Sequence, residues 1–376
     1  MTGLTKRIVS KNGAQTLMMV LAASGMLAAC KHSNSTNPQG LWIANGTDVL
    51  EYIPSQLAGG TSAAVPHLQL KSPALGAPQG VTFDKAGNLW VMDPEGMVNG
   101  AKTAALFKFT PTQLAALATT QNPEPTEIIT YNNGAAPQQS VFDANGNQWV
   151  ADHDANMIVV FTAGQMGMSG TNTTVPAVVL TSPAFNGPLG IAFDSMGNLW
   201  VANNGGVMGA NNTPSATGTS IVEFAAAHVP VVTANGMITP MLTPDLTLSD
   251  NGNGSIQAPW ALAFDAAGNL WSSNAAAPNT LVEFAKTSLT ATGAPSPAVT
   301  ISPAMVNGVP SLDGPNGLCF NNAGNLAAAN SANAFGIAYF LKAQLVTGAP
   351  TPNTFIVGNA TTLDAVAGCN FGPLVN

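Results

Sequence analysis

One stretch of sequence recurs along this chain and limits its fold more than any other feature. It reads "PQGVTFDKAGNLWVMD" at 78–93, "PLGIAFDSMGNLWVANN" at 188–204 and "PWALAFDAAGNLWSSN" at 259–274. Aligned on the phenylalanine before the turn, five units place Phe83, Phe142, Phe193, Phe264 and Phe320 at steps of 59, 51, 71 and 56 residues. Each unit opens with a proline five residues earlier (Pro78, Pro137, Pro188, Pro259, Pro315) and passes through a turn ending in Gly-Asn. Four units then carry a tryptophan two residues beyond that asparagine, at Trp90, Trp149, Trp200 and Trp271, and the fifth carries Ala327.

The turn has a physical basis. In Asp84-Lys85-Ala86-Gly87 the aspartate side chain can accept backbone N–H groups, and glycine takes positive φ with no Cβ penalty. A hairpin is expected, followed by a third alternating segment ("ALFKF", "MIVVF", "SIVEF", "TLVEF", "GIAYF") and a fourth strand such as "TEIIT" or "PAVVL". Four short antiparallel strands per unit of about 50 residues are the parts of a propeller blade. A sixth unit is split. "GLWIAN" at 40–45, "VLEYI" and "PHLQL" supply its second, third and fourth strands, and "AGCNF" at 367–371 supplies the first. The fold expected is all-β, a six-bladed β-propeller of four-stranded blades, closed where the C-terminal strand joins the N-terminal blade.

The pattern P-x-G-[IV]-x-F-D-x-x-G-N-L-W-V-A-[ND] resembles the NHL-repeat family of six-bladed propellers, similar in turn to the gluconolactonase/senescence-marker proteins. The resemblance covers residues 40–376 and speaks for architecture; propellers host binding modules, scaffolds and enzymes alike. Ahead of it, residues 1–29 read as a secretory signal: Lys6, Arg7 and Lys11, an apolar run from Ala14 to Met26, and Leu27-Ala28-Ala29-Cys30. That last tetrapeptide resembles the bacterial lipobox, which implies cleavage before Cys30 and lipidation of its thiol. The apolar run is shorter than the roughly 20 residues a membrane span requires. Residues 30–39 read as a polar tether. The expected location is the bacterial cell envelope, and the outer membrane if the host is Gram-negative, because Lys31 rather than aspartate follows the cysteine.

Cleavage there removes three of the ten basic residues and leaves seven lysines against eighteen acids. Such a surface repels phosphate backbones, so nucleic acid is not expected as a partner. The partners expected are the membrane, through Cys30, and a protein or glycan, with the chain a monomer.

In a propeller, the loop entering the innermost strand and the loop leaving the second strand share one face, here the top; the Asp-x-x-Gly turns lie on the other. The position after each entering proline lines the top mouth of the channel and reads Gln79, Gln138, Leu189, Trp260, Asn316 and Ala367. In the gluconolactonase-like family residues there form a Glu/Asn/Asn/Asp cage for a divalent metal, and only Asn316 matches a ligand of that cage. No cofactor is therefore expected. Gln79, Gln138, Trp260 and Asn316 form a candidate site for an uncharged polar ligand; the alternative is that the amides satisfy loop backbone and Trp260 plugs an empty channel.

The second-strand exits give another ring: Asn45, Asp93, Asp152, Asn203, Asn274 and Asn330. Two neighbouring exits are acidic, Asp93-Pro94-Glu95 and Asp152-His153-Asp154. Asp93, Glu95, Asp152 and Asp154 are candidate ligands for a calcium ion, and Asp152, His153 and Asp154 are the candidate acid–base residues of a hydrolase or lyase. Asx-turns explain Asp93 and Asp152 without any ligand. The longest loops, 203–220 and about 231–258, lead onto the same face. With Cys30 lipidated, Cys319 and Cys369 are left. They stand one and two residues before their phenylalanines on neighbouring innermost strands, so alternation turns them toward each other across a blade boundary and a disulfide is expected. The reading is a lipid-anchored, non-catalytic binding propeller acting through its top face, with a propeller-type hydrolase or lyase as the alternative.

Overall fold

The repeated turns fold as their residues dictate and place everything else. A computed structural model describes residues 38–119, 122–132, 134–206, 219–233, 237–333, 335–358 and 362–375. In it Asp84 Oδ1 accepts the N–H groups of Ala86 and Asn88, both at 2.9 Å. Its Oδ2 accepts Asn88 Nδ2 at 2.7 Å and the indole N–H of Trp90 at 3.1 Å. Asp143, Asp194 and Asp265 repeat this arrangement on Trp149, Trp200 and Trp271. The five turn glycines (Gly87, Gly146, Gly197, Gly268, Gly324) have φ between 78° and 86°, where a Cβ would be strained.

Six blades surround one axis. From the axis outward, blade I is Val366–Pro373, Gln39–Asn45, Asp48–Tyr52 and Leu68–Lys71. Blade II is Gly80–Phe83, Leu89–Val98, Ala101–Phe109 and Glu127–Thr130. Blade III is Pro137–Phe142, Gln148–Asp152, Met157–Phe161 and Val178–Leu180. Blade IV is Pro188–Phe193, Leu199–Asn203, Ser220–Phe224 and Leu246–Leu248. Blade V is Pro259–Phe264, Leu270–Asn274, Leu281–Phe284 and Val299–Ile301. Blade VI is Pro315–Phe320, Leu326–Asn330, Gly336–Phe340 and Thr354–Val357. All these pairings are antiparallel. The ring closes inside blade I, where Leu41 pairs with Phe371 and Ile43 with Cys369.

Apolar packing across the blade boundaries makes the core. Trp42 meets Phe83 of blade II edge-on at 5.7 Å between ring centroids, Trp149 meets Phe193 at 5.4 Å, Trp200 meets Phe264 at 6.0 Å and Trp271 meets Phe320 at 5.9 Å. In blade VI the Ala327 substitution is compensated on the paired strand. Tyr339 stands opposite Ala327, accepts Asn325 Nδ2 at 2.8 Å through its hydroxyl, and packs on Phe371 at 6.3 Å. Blade I has no hairpin between its inner strands, since they come from the two ends of the chain. Gly372 stands where blades II to V have aspartate and blade VI has Asn321, and the buried indole N–H of Trp42 has no acceptor among the described residues.

Cys319 and Cys369 are joined in a disulfide, Cα atoms 6.0 Å apart, that ties blade VI to the closing strand. On the chain-entropy model such a loop contributes about 2–4 kcal/mol. Replacing both cysteines by serine is expected to lower unfolding stability by that amount in denaturant titrations, with no shift of the wild-type midpoint left to gain from added reductant in the variant. Blade IV gives a second prediction. Burial first, then the nearby Asp245 and Asp194 carboxylates, push Glu223 up from 4.5 to about 7. A raised carboxyl favours the folded state fully below its unfolded value and loses that advantage as pH rises toward about 7. Glu223→Gln should therefore match wild type near pH 4 and exceed it by about 1–2 kcal/mol at pH 8. A stability difference that does not change with pH would contradict this.

Candidate functional site

The innermost strands close the channel at its top and leave it open below. One residue after the mouth positions, the ring reads Gly368, Gly80, Gln139, Gly190, Ala261 and Gly317. A Cβ built on Gly190, Gly317 or Gly368 would lie 2.7, 2.6 and 2.7 Å from the carbonyl oxygens of Trp260, Ala367 and Gln79 on the next blade. Gly80 meets the carbonyl of Gln138 in the same way. Glycine is thus required because adjacent strands touch backbone to backbone, and Gly368 N–H donates to Gln79 O at 2.8 Å across one such joint. In blade III the glycine is replaced by Gln139, whose Nε2 reaches across the axis and donates to Asn316 O of blade VI at 3.3 Å. Glycines and glutamine together make a collar.

Below the collar lies a cavity of about 610 Å³ that opens among the Asp-x-x-Gly turns. Its walls are apolar (Val81, Val141, Leu262, Leu318), with Ser140, Asn370 and the floor amide of Gln139 as polar groups. Lys286 and Asp265 stand at its rim. The six innermost strands also turn their inner edges, which carry no further strand, to the axis, so backbone donors and acceptors outside the strand ladders face this volume. None of Gln79, Gln138, Trp260 and Asn316 lines it. These four stand above the collar. Trp260 is 4% exposed and packs on Leu189 and Ala275. Gln79 turns its amide to Ala77 O at 3.3 Å, Gln138 is half-buried, and Asn316 is buried with Oδ1 lacking a partner. Gln139 and Ser140 were not singled out from the sequence. The available signal was glutamine in a slot that elsewhere holds glycine or alanine.

The second-strand exits are spent on holding the entering loops. Asn203 Oδ1 accepts Asn186 N–H at 3.1 Å and its Nδ2 donates to Ala184 O at 2.9 Å. Asn45, Asn274 and Asn330 do the same for their loops. Asp93 accepts N–H groups of Gly76, Ala77 and Glu95 at 2.8, 3.0 and 2.9 Å. Burial raises its carboxyl above the usual range, and those three donors offset part of the rise. Asp152 accepts the N–H groups of Ala135 and Ala136 and the hydroxyl of Tyr131 at 2.6 Å; burial and this carboxylate hold the Tyr131 phenol well above its usual range. Glu95 pairs with Lys102. His153 is buried, its Nδ1 lies 2.6 Å from Asp154 Oδ1, and its Nε2 has no partner.

The metal cage implied by the family resemblance does not fit this chain: Leu189, Trp260 and Ala367 offer no oxygen side chain where a hard cation needs six to eight oxygens. Among the described residues no group of three or more His, Cys, Asp and Glu side chains is placed to hold a metal. Asp93 and Asp152 already use both oxygens on protein donors. Cys30 and His32, and residues 207–218 and 234–236 of the two long loops, lie outside the described residues.

No protein-family model matches the chain, and no curated protein matches it. Solved structures do. A protein of unknown function from Bacteroides caccae superposes with a TM-score of 0.57 at 11% identity, covering 90% of this chain and 100% of its own. A chain of a nidogen/laminin complex gives 0.51 at 14% identity, covering 90% and 99%. A putative 6-phosphogluconolactonase from Bacteroides uniformis gives 0.47 at 15% identity, covering 90% and 84%. At these identities the likeness is one of fold: this chain is a six-bladed β-propeller.

Proposed function

We propose that this chain is a lipid-anchored binding propeller of the bacterial cell envelope, of the NHL-repeat type, and that it holds a neutral, sugar-sized ligand rather than transforming it. The lipobox at Leu27–Cys30 supports the anchor. The observation that carries the binding role is the blind cavity of about 610 Å³, within the range of small-molecule sites. Its apolar walls suit the faces of a sugar ring, and Gln139, Asn370 and the open strand edges suit hydroxyl groups. This geometry favours the lower cup over the top mouth, because the collar and buried Trp260 leave little depth above. A glycan terminus of a larger partner would enter the same way.

The hydrolase or lyase reading rests on one feature, the His153–Asp154 pair with its unpartnered Nε2. It requires a substrate to reach a side chain that is 1% exposed.

Two measurements test the proposal. Cys30→Ala is expected to move the protein from the detergent-released membrane fraction to the soluble fraction. Titration calorimetry against a panel of neutral oligosaccharides is expected to find a binder whose affinity falls at least about tenfold in Asn370→Trp, which narrows the cup. Binding that survives Asn370→Trp and is lost with Gln79→Ala and Gln138→Ala would return the site to the top face. Turnover of an ester, lactone or glycoside that is lost in His153→Ala would establish the enzyme instead.

A further inference from the structure

Two carboxamides in the cup keep hydrogen-bonding groups free. Gln139 at the floor uses one N–H of its amide on Asn316 O, and its side chain makes no other hydrogen bond among the described residues. The side chain of Asn370 on the wall makes none among them. Both residues are half-buried. Ser140, by contrast, is turned into the core, where its hydroxyl donates to Met92 Sδ at 3.1 Å and accepts Gln148 Nε2 at 2.9 Å. A carboxamide offers one oxygen that accepts and two N–H groups that donate. The floor therefore keeps an acceptor and a donor, and the wall keeps a full set.

The two amides stand at different depths. Asn370 lies two residues along its strand from Gly368, which shares the collar with Gln139, so it is about 6–7 Å nearer the opening. Between these levels, Val81, Leu262 and Leu318 each stand one residue below the collar and line the cup. The floor is thus an amide bordered by branched aliphatic side chains.

Charge is absent at that depth. Of the lining residues only Asp265 and Lys286 are charged, and both belong to the rim. Asp265 already gives its two oxygens to the N–H groups of Ala267 and Asn269, the Asn269 amide and the Trp271 indole. A ligand amine carried to the floor would meet no carboxylate, and a ligand carboxylate would meet no cation, so either would be desolvated without a counter-charge. What matches the floor is an uncharged group that joins an N–H and a carbonyl to a methyl. Resting on the reading of the cup as a sugar site, we propose that its ligand is an N-acetylated amino sugar whose acetamido group sits on the floor. The acetamido N–H donates to Gln139 Oε1, its carbonyl accepts the second Nε2 hydrogen, and its methyl packs on Val81, Leu262 and Leu318. Asn370 binds a ring hydroxyl nearer the opening. A few placed polar groups in an apolar wall are how small-molecule sites fix orientation.

The probes are N,N′-diacetylchitobiose, chitobiose and cellobiose, which share one linkage and carry an acetamido group, an amine or a hydroxyl on the second carbon of each ring. In titration calorimetry with the full chain, the acetylated disaccharide is expected to bind at least about tenfold more tightly than either of the others. Gln139→Ala is expected to fold, since the collar slot holds glycine or alanine in the other five blades. It is expected to bring the acetylated disaccharide and cellobiose within about twofold of each other. Asn370→Ala is expected to weaken both alike and leave their ratio unchanged. Equal affinities in the wild-type protein, a preference that survives Gln139→Ala, or a preference lost in Asn370→Ala instead would each overturn the acetamido assignment while leaving the cup a sugar site. Binding of none of the three would overturn this inference, and binding of no member of the neutral panel would overturn the reading beneath it.

Discussion

The contact on which the rest of this structure depends is the edge-on meeting of one blade's tryptophan with the next blade's phenylalanine. In blades II to V the indole is aimed by the turn aspartate of its own blade, which binds the indole N–H with the same oxygen that holds the turn asparagine. The turn therefore sets the rotamer of the ring that builds the blade boundary. Aromatic pairs in this geometry contribute about 0.5–1.5 kcal/mol beyond their buried area. Among the described residues such pairs stand at four blade boundaries, and Tyr339 on Phe371 takes their place between blades VI and I. The acidic look of the Asp84, Asp143, Asp194 and Asp265 series has this structural cause.

The same economy governs the other face. Asn45, Asp93, Asp152, Asn203, Asn274 and Asn330 fasten the loops that enter the innermost strands, and either residue type serves because the oxygen accepts a backbone N–H in both. Where asparagine stands, its amide also donates to a loop carbonyl, as at Asn203 and Asn330. Where aspartate stands, a third donor takes the spare lone pair: Glu95 N–H at Asp93 and the Tyr131 hydroxyl at Asp152. Two carboxylates that look like a cation site from sequence are thereby saturated by protein donors.

The blade count, the closure inside blade I and the cysteine pair were legible in the sequence because each follows from periodicity and alternation, which survive without knowledge of distances. The cavity was not legible. Its depth depends on how closely neighbouring backbones approach at Gly80, Gly190, Gly317 and Gly368, and the sequence shows these only as part of a turn-rich motif. Trp260 illustrates the limit: its place above the channel followed from the repeat, whereas its burial against Leu189 and Ala275 depends on loops that differ from blade to blade.

The places where the repeat fails are consequently the informative ones. Ala327 is a failure with a structural repair, because Tyr339 on the paired strand restores both the packing and the hydrogen bond. Gln139 has no such repair: it spends a side chain crossing the axis at a level where glycine suffices elsewhere, and in doing so converts an open channel into a cup with an amide floor. A sequence under selection for the fold alone would keep glycine or alanine in that slot, as the other five blades do, because local and global preferences agree there. The departure at Gln139 sets an amide on the axis that the ring itself does not need.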